Sequence, residues 1–158
     1  MPLPGDLQGS IRQYCSCLQE WNASYEDYAR SVGLSFTSLS ILSTIYAHEN
    51  CTQKMLCKIC FLPKQTVNGV IRQFCKDGWI SLIEMAKDRR NKAIRFTEQG
   101  RQAAGDILHR VRQSEQAAMQ SLSPQEQSAL LTLTRRYVLA CKKAMEAPSK
   151  VMHEKENA

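Results

Sequence analysis

Residues 62 to 100 read LPKQTVNGVIRQFCKDGWISLIEMAKDRRNKAIRFTEQG, and a change of apolar period inside this stretch decides the fold. Val67, Val70, Ile71 and Phe74 recur at helical spacing, so they share one buried stripe. The opposite face is polar, with Lys64, Gln65, Thr66, Asn68, Arg72 and Gln73. Gly69 among them leaves room for close approach to a surface. Pro63 suits a first helical position, and Asp77-Gly78 a stop, because glycine supplies the left-handed residue that ends helices. Beyond that stop the period becomes two. Ile80, Leu82 and Glu84 alternate with Ser81, Ile83 and Met85, and Ile94 and Phe96 alternate with Ala93, Arg95 and Thr97. Two alternating segments about a polar turn predict a hairpin. The turn, KDRRNK at 87–92, holds four cations and one carboxylate. Such a tip repels itself unless it faces an anion, and a narrow minor groove suits an arginine placed there.

Working outward, Gln8 to about Val32 reads as a helix striped by Ile11, Tyr14, Cys15, Leu18, Trp21, Tyr25 and Tyr28, stopped by Gly33. A helix so apolar on one side needs a partner surface, and a second subunit is one source of it. Ser35 or Thr37 caps the next helix, which buries Leu39, Ile41, Leu42, Ile45 and Tyr46 and closes at His48 to Asn50. Thr52 caps a short third helix, Gln53 to Cys60, with Met55, Leu56 and Ile59 inward. Two short helices before the basic one make a helix-turn-helix, and the hairpin makes it winged. Thr97-Glu98 opens a long helix to about Ser121, with Ala104, Ile107, Leu108, Val111, Ala118 and Met119 on its apolar side. Ser123-Pro124-Gln125-Glu126 is a capping box for a last helix to about Met145, carrying Leu130, Leu131, Leu133, Val138, Leu139 and Cys141. From Ala147 the tail is polar.

The fold expected is mainly α with a small β-hairpin wing, a winged helix-turn-helix between long N- and C-terminal helices. Residues 35–97 form the DNA-binding region, 1–34 and 98–146 the helical dimerisation region, and 147–158 the tail. At 158 residues there is room for a core but not for a second catalytic domain. The net charge is +6, yet residues 51 to 101 hold 11 Lys/Arg against 4 Asp/Glu, a local +7 that leaves −1 elsewhere. All the excess positive charge therefore lies in the winged region, as a nucleic-acid binder requires. Apolar runs fall far short of the roughly 20 residues of a membrane span, and no signal pattern is evident, so a cytoplasmic protein with no membrane partner is expected. Seven cysteines, an odd number, are expected as free thiols.

In order and spacing, FTSLSILSTIY, TQKMLCKIC, LPKQTVNGVIRQFCKDGWI, DRRNKAIRFTEQGR and LSPQEQ resemble the MarR family of bacterial transcription regulators, from about residue 8 to 145. Asp88-Arg89-Arg90 with Ile94, Phe96-Thr97 and Gly100-Arg101 is the most specific piece, similar to that family's wing signature. The resemblance implies a homodimer formed by the first and last two helices, with two winged lobes on a pseudo-palindromic operator. It also implies Arg90 in the minor groove, steadied by Asp88, and repression relieved by a small, often aromatic, anion or by an oxidant. Where the family often has a polar or charged residue stands Gly69, so base readout leans on Lys64, Gln65, Asn68 and Arg72.

Each sharper reading has a plainer one beside it. The charges of 51 to 101 also fit a solvated face; charge, helix order and wing together favour double-stranded DNA. Tyr14, Trp21, Tyr25 and Tyr46 form a candidate effector pocket on the strength of the resemblance, whereas spacing alone makes them dimer core. Cys15 and Cys17 are candidate redox residues by the same resemblance. Two positions apart on a helix, they face different sides, so one is expected in the core. Reactivity requires an exposed thiolate of lowered pKa, and Arg12 is the nearest cation. His48, Cys51, Cys57 and Cys60 include a CxxC and could be read as a metal site, but a structural zinc site needs four preorganised ligands. Cys57 and Cys60 fall within a short helix at positions that want small or apolar residues, as free cysteine often is; no metal or other cofactor is expected. Three scattered histidines, no glycine-rich phosphate loop and no GxSxG argue against an enzyme.

Overall fold

A computed structural model describes residues 6–85 and 88–146, with backbone alone at 85 and 88–91; the polar tail falls outside the described residues. The elements are α1 (Leu7–Ser31), α2 (Phe36–Ala47), α3 (Gln53–Ile59), α4 (Lys64–Lys76), β1 (Ile80–Met85), β2 (Asp88–Phe96), α5 (Glu98–Gln120) and α6 (Pro124–Glu146). This is the mainly helical, winged helix-turn-helix order expected. The backbone groups into two compact units, Met1–Arg110 and Val111–Ala158.

The first unit holds the core. Leu39, Ile41, Leu42 and Ile45 of α2, Leu56 of α3, Val67, Ile71 and Phe74 of α4, Ile80, Ala93 and Ile94 of the hairpin, and Ala104 and Leu108 of α5 are all buried. Ser35 is the cap of α2, accepting from the Ser38 amide, and Thr52 caps α3 by accepting from Met55. The α4 terminus is built as a Schellman motif. The amide of Trp79 donates to Phe74 at 2.9 Å and that of Gly78 to Cys75 at 3.1 Å. Gly78 takes φ +72, and the Trp79 ring stacks on Phe74 at 5.5 Å, the apolar contact such caps favour. α1 is tied to α5 by the Tyr28 hydroxyl, which donates to the Ile107 carbonyl at 2.6 Å, with Arg110 5.8 Å over the same ring.

Four expectations are corrected. Pro63 is not the first helical residue but the extended cap before Lys64. Ile59, expected inward, is 39 % exposed because α3 ends there, and half-buried Cys60 takes the inner place. β2 starts inside the expected turn, at Asp88. Its antiparallel ladder runs from Ile80–Phe96 to Glu84–Lys92 and then steps to Met85–Asp88, leaving 89–91 as a bulge on one strand. Finally, Ala93 and Ile94 are both buried, where alternation predicts one. Thr52 bridges Ala93 and the Ile94 amide donates to the Cys51 carbonyl at 2.8 Å, so β2 is covered on its free edge too.

The second unit contains the end of α5, the turn and α6. The capping box is present: Ser123 Oγ accepts from the Glu126 amide at 3.3 Å, and Glu126 Oε2 accepts from the Ser123 amide at 2.8 Å and hydroxyl at 2.7 Å. Those bonds to its charged form hold the Glu126 carboxyl below the usual range. No residue of α6 is buried: Leu131, Leu133, Val138 and Leu139 are each more than half exposed.

Candidate nucleic-acid interface

α4 is positioned by its own amphipathicity. Burying Val67, Ile71 and Phe74 turns Lys64, Gln65, Thr66, Asn68, Arg72 and Gln73 outward, and all six are exposed. Gln73 Nε2 donates to Asp77 Oδ1 at 2.8 Å, which bends that side chain back along the helix; Lys64 and Arg72 make no ion pair among the described residues. A helix face of amide, hydroxyl and cationic groups offers both donors and acceptors, the set needed for base edges and phosphates. A Cβ added at Gly69 would meet nothing within 4 Å. Packing within the chain thus places no demand for glycine there.

The wing is anchored at its root. Thr97 Oγ1 donates to the Gly78 carbonyl at 2.7 Å and accepts from the Gly100 amide at 2.9 Å, while the Thr97 amide donates to Trp79 at 3.0 Å. One threonine therefore joins the end of α4, the end of β2 and the start of α5. The side chains of Asp88, Arg89 and Arg90 lie outside the described residues. Their backbone belongs to β2: Asp88 pairs with Met85, and Arg89 and Arg90 lie in the bulge that follows it.

The four aromatic residues singled out from the sequence stand in two places. Trp21 and Tyr25 meet edge to face at 5.2 Å, and Tyr25 meets Phe36 at 6.2 Å, at the start of α2. Tyr46 stands ten residues further on, about 15 Å along the helix, against Phe96 at 5.9 Å and under Arg101. There a cavity of about 300 Å³ opens, lined by His48, Asn50, Arg95 and Arg101 among others, with Arg95 donating to Asn50 Oδ1. Sequence periodicity did not point to this cavity, because it joins a helix end, a loop and a strand. Tyr14 of α1 is half-buried.

All seven cysteines are free. Cys15 and Cys17 are both exposed, so the expectation that one enters the core fails for the single chain: α1 buries only Ala29, fourteen residues after Cys15. Cys51 is fully buried, and desolvation, with Cys60 nearby, pushes its thiol up to about 11 against a small lowering from a backbone hydrogen bond at Thr52. Burial also raises the Cys75 thiol. Among the described residues no three His, Cys, Asp or Glu side chains converge on a metal position, and no helix is long and apolar enough to cross a membrane.

A recognition-type helix with its outer face bare, braced by α3 and flanked by a strand pair, defines a winged helix-turn-helix fold. Residues 32–91 match the model of the MarR family. Over that winged segment, well under half of its length, the chain is similar to the MarR family. No curated protein matches the chain by sequence. Solved structures of the same fold include a MarR family regulator from Neisseria meningitidis, 20% identical, covering 86% of this chain and 96% of that one at a TM-score of 0.74. A MarR/EmrR family transcriptional regulator from Acinetobacter sp. ADP1 is 17% identical over 86% and 96%, at 0.69. The S. aureus MepR–DNA complex is 19% identical over 80% of this chain and 97% of that one, at 0.68.

Proposed function

We propose that the chain acts as a homodimer that binds a pseudo-palindromic duplex and represses transcription. Residues 35–97 make the DNA contacts, and 1–34 with 98–146 hold the copies together. On this reading α4 of each copy enters a major groove through Lys64, Gln65, Thr66, Asn68 and Arg72. Arg89 and Arg90 of the wing reach the adjoining minor groove, with Asp88 fixing Arg90. The observation that carries it is the division of α4: three apolar residues wholly buried, and opposite them five base- and phosphate-competent side chains with no structural duty. That a protein of this fold has been solved as a DNA complex supports the same use of the face. Pairing is supported by the apolar residues left in the open on α1 and on α6, Trp21 at 59 % and Leu131 at 63 % exposure among them. Two lobes about a two-fold axis address half-sites about 10 base pairs apart.

Release is assigned to a small, often aromatic, effector, for which Tyr14, Trp21, Tyr25 and Tyr46 supply the aromatic surface. A second reading, release by cysteine oxidation, is favoured by one observation: Cys15 and Cys17 are free and exposed. The test is fluorescence anisotropy on a labelled duplex enriched in vitro against the protein, across a salt series, alongside sedimentation. The expected result is a dimer whose affinity falls steeply with salt and drops further with an aromatic acid or with mild peroxide. A monomer, or binding indifferent to salt, overturns the reading.

A further inference from the structure

Three helices of this chain end in the same way, and at one of them the wrong residue stands in the cap. At the end of α1 the Leu34 amide donates to Ala29 and Gly33 sits at φ +75; at the end of α4 Trp79 donates to Phe74 and Gly78 sits at φ +72. At the end of α3 the Leu62 amide donates to Cys57 at 3.2 Å, and the left-handed position, φ +54, is held by Phe61. Glycine takes that conformation freely, whereas a bulky L side chain is an outlier in it. Among the described residues no packing offsets that strain. Phe61 is 90 % exposed, the barest large apolar residue described.

We propose that Phe61 is a base-reading residue, its ring resting on a thymine C5-methyl at the edge of the major groove that α4 enters. The inference rests on the DNA-binding reading above and deepens it. Phe61 stands two residues before Pro63, the cap of α4, so it adjoins the exposed polar face of that helix in the chain. Its apolar neighbour Ile59 is 39 % exposed, and Lys58 and Lys64 on either side are exposed as well. An apolar spot set between lysines matches a surface that presents methyl groups between phosphates. In the major groove only thymine carries a methyl, and phenylalanine is among the side chains that read it.

The experiment uses the full chain and duplexes enriched in vitro against it. Each thymine is replaced in turn by uracil, which removes the C5-methyl and nothing else, and binding is compared for wild type, F61G and F61N. Wild type is expected to lose about fourfold or more in affinity at one thymine per half-site, the worth of a buried methyl group. F61G and F61N lose a similar factor on the parent duplex and are indifferent to uracil at that position. Both melt no lower than wild type, since glycine and asparagine suit the cap. If wild type tolerates uracil everywhere, or if F61G binds the parent duplex as tightly as wild type, the assignment to Phe61 falls while DNA binding stands. Failure to enrich any duplex overturns the DNA-binding reading itself, and this inference with it.

Discussion

Replacing Gly100 by Ala tests the joint on which the wing is hung. A Cβ at 100 would lie 1.9 Å from the Trp79 carbonyl oxygen and 2.5 Å from its carbon. Real Cβ contacts essentially never fall under 3.0 Å, so the Trp79 peptide must retreat by at least 1.1 Å, the difference of 3.0 and 1.9. That peptide cannot yield cheaply, because it receives the Thr97 amide at 3.0 Å and follows directly on the Schellman cap of α4. Overpacking of this kind costs about 1–3 kcal/mol. Loss of the Thr97 amide bond adds about 1 kcal/mol, and disturbance of the Thr97 cap on α5 about 1 kcal/mol more. A destabilisation of about 3–5 kcal/mol lowers the melting temperature of a chain this size by about 10 °C. Circular dichroism melting of wild type and G100A gives the number directly. DNA affinity is expected to fall too, since Ile80 and Phe96, the first rung of the hairpin, flank the displaced peptide. A melting point within about 2 °C of wild type would refute the claim that this close approach fixes the wing.

At Gly69 the same substitution is expected to act with the opposite sign: with nothing within 4 Å of the added methyl, G69A stabilises by about 1 kcal/mol. Its DNA binding nevertheless weakens in anisotropy titrations, and a variant that melts higher and binds equally well would remove the close-approach role. Arg72→Ala and Arg90→Ala should each weaken binding, by about 1–3 kcal/mol if the contact is bidentate to a base, whereas loss of a phosphate contact makes the slope of log K against log salt shallower by about 0.9; an unchanged salt series would count against the wing. Among the thiols, alkylation followed by mass spectrometry should label exposed Cys15 and Cys17 first and Cys51 last. Cys51 also sets an alkaline limit. Its folded thiol is raised from 9.0 to about 11, so the stability it contributes is complete below about pH 9 and is lost as pH rises through about 11; a C51A variant whose alkaline melting profile matches wild type would contradict this.

Helix stops and caps were legible because they are local. Gly33, Gly78, Ser35, Thr52 and the Ser123–Glu126 box each act on backbone groups within a few residues, so sequence spacing carries the whole interaction. The start of β2 was hidden for the complementary reason. Residues 88–92 look like a solvated turn by composition, but the ladder is made by backbone groups, and Glu84–Lys92 pairs whatever the charge around it. The double burial of Ala93 and Ile94 comes from Cys51 and Thr52, some forty residues earlier, a contact that a period cannot encode. Likewise the division of Tyr46 from Trp21 and Tyr25 follows from the length of α2 once it is known which end each residue stands on. Phe61 is silent in the sequence because its oddity is conformational: the sequence shows an aromatic residue two positions before a proline, and only the backbone shows that it occupies a glycine position.

The two ends of the chain carry a different kind of information. On α6, Leu130, Leu133 and Tyr137 follow one another at three- and four-residue steps, while Leu131, Val138 and Met145 repeat every seven; all six are exposed. At 100° per residue the two rows together cover nearly half the circumference of the helix. A stripe that wide exceeds what one neighbouring helix covers, so more than one element must lie against α6 when its apolar area leaves water. On α1, Leu7, Ile11, Leu18 and Trp21 stay open in the same way although Tyr28 and Ala29 are engaged. Under the proposed pairing these faces are where folding free energy depends on a second copy, which ties stability to protein concentration by mass action. They are also where anything that binds between copies gains leverage on the spacing of the two α4 helices. If an effector acts as proposed, these helical ends, unfinished in the single chain, are where it would bind with most effect, whereas the winged lobe is already packed around Ile41, Leu56, Ile71 and Phe74.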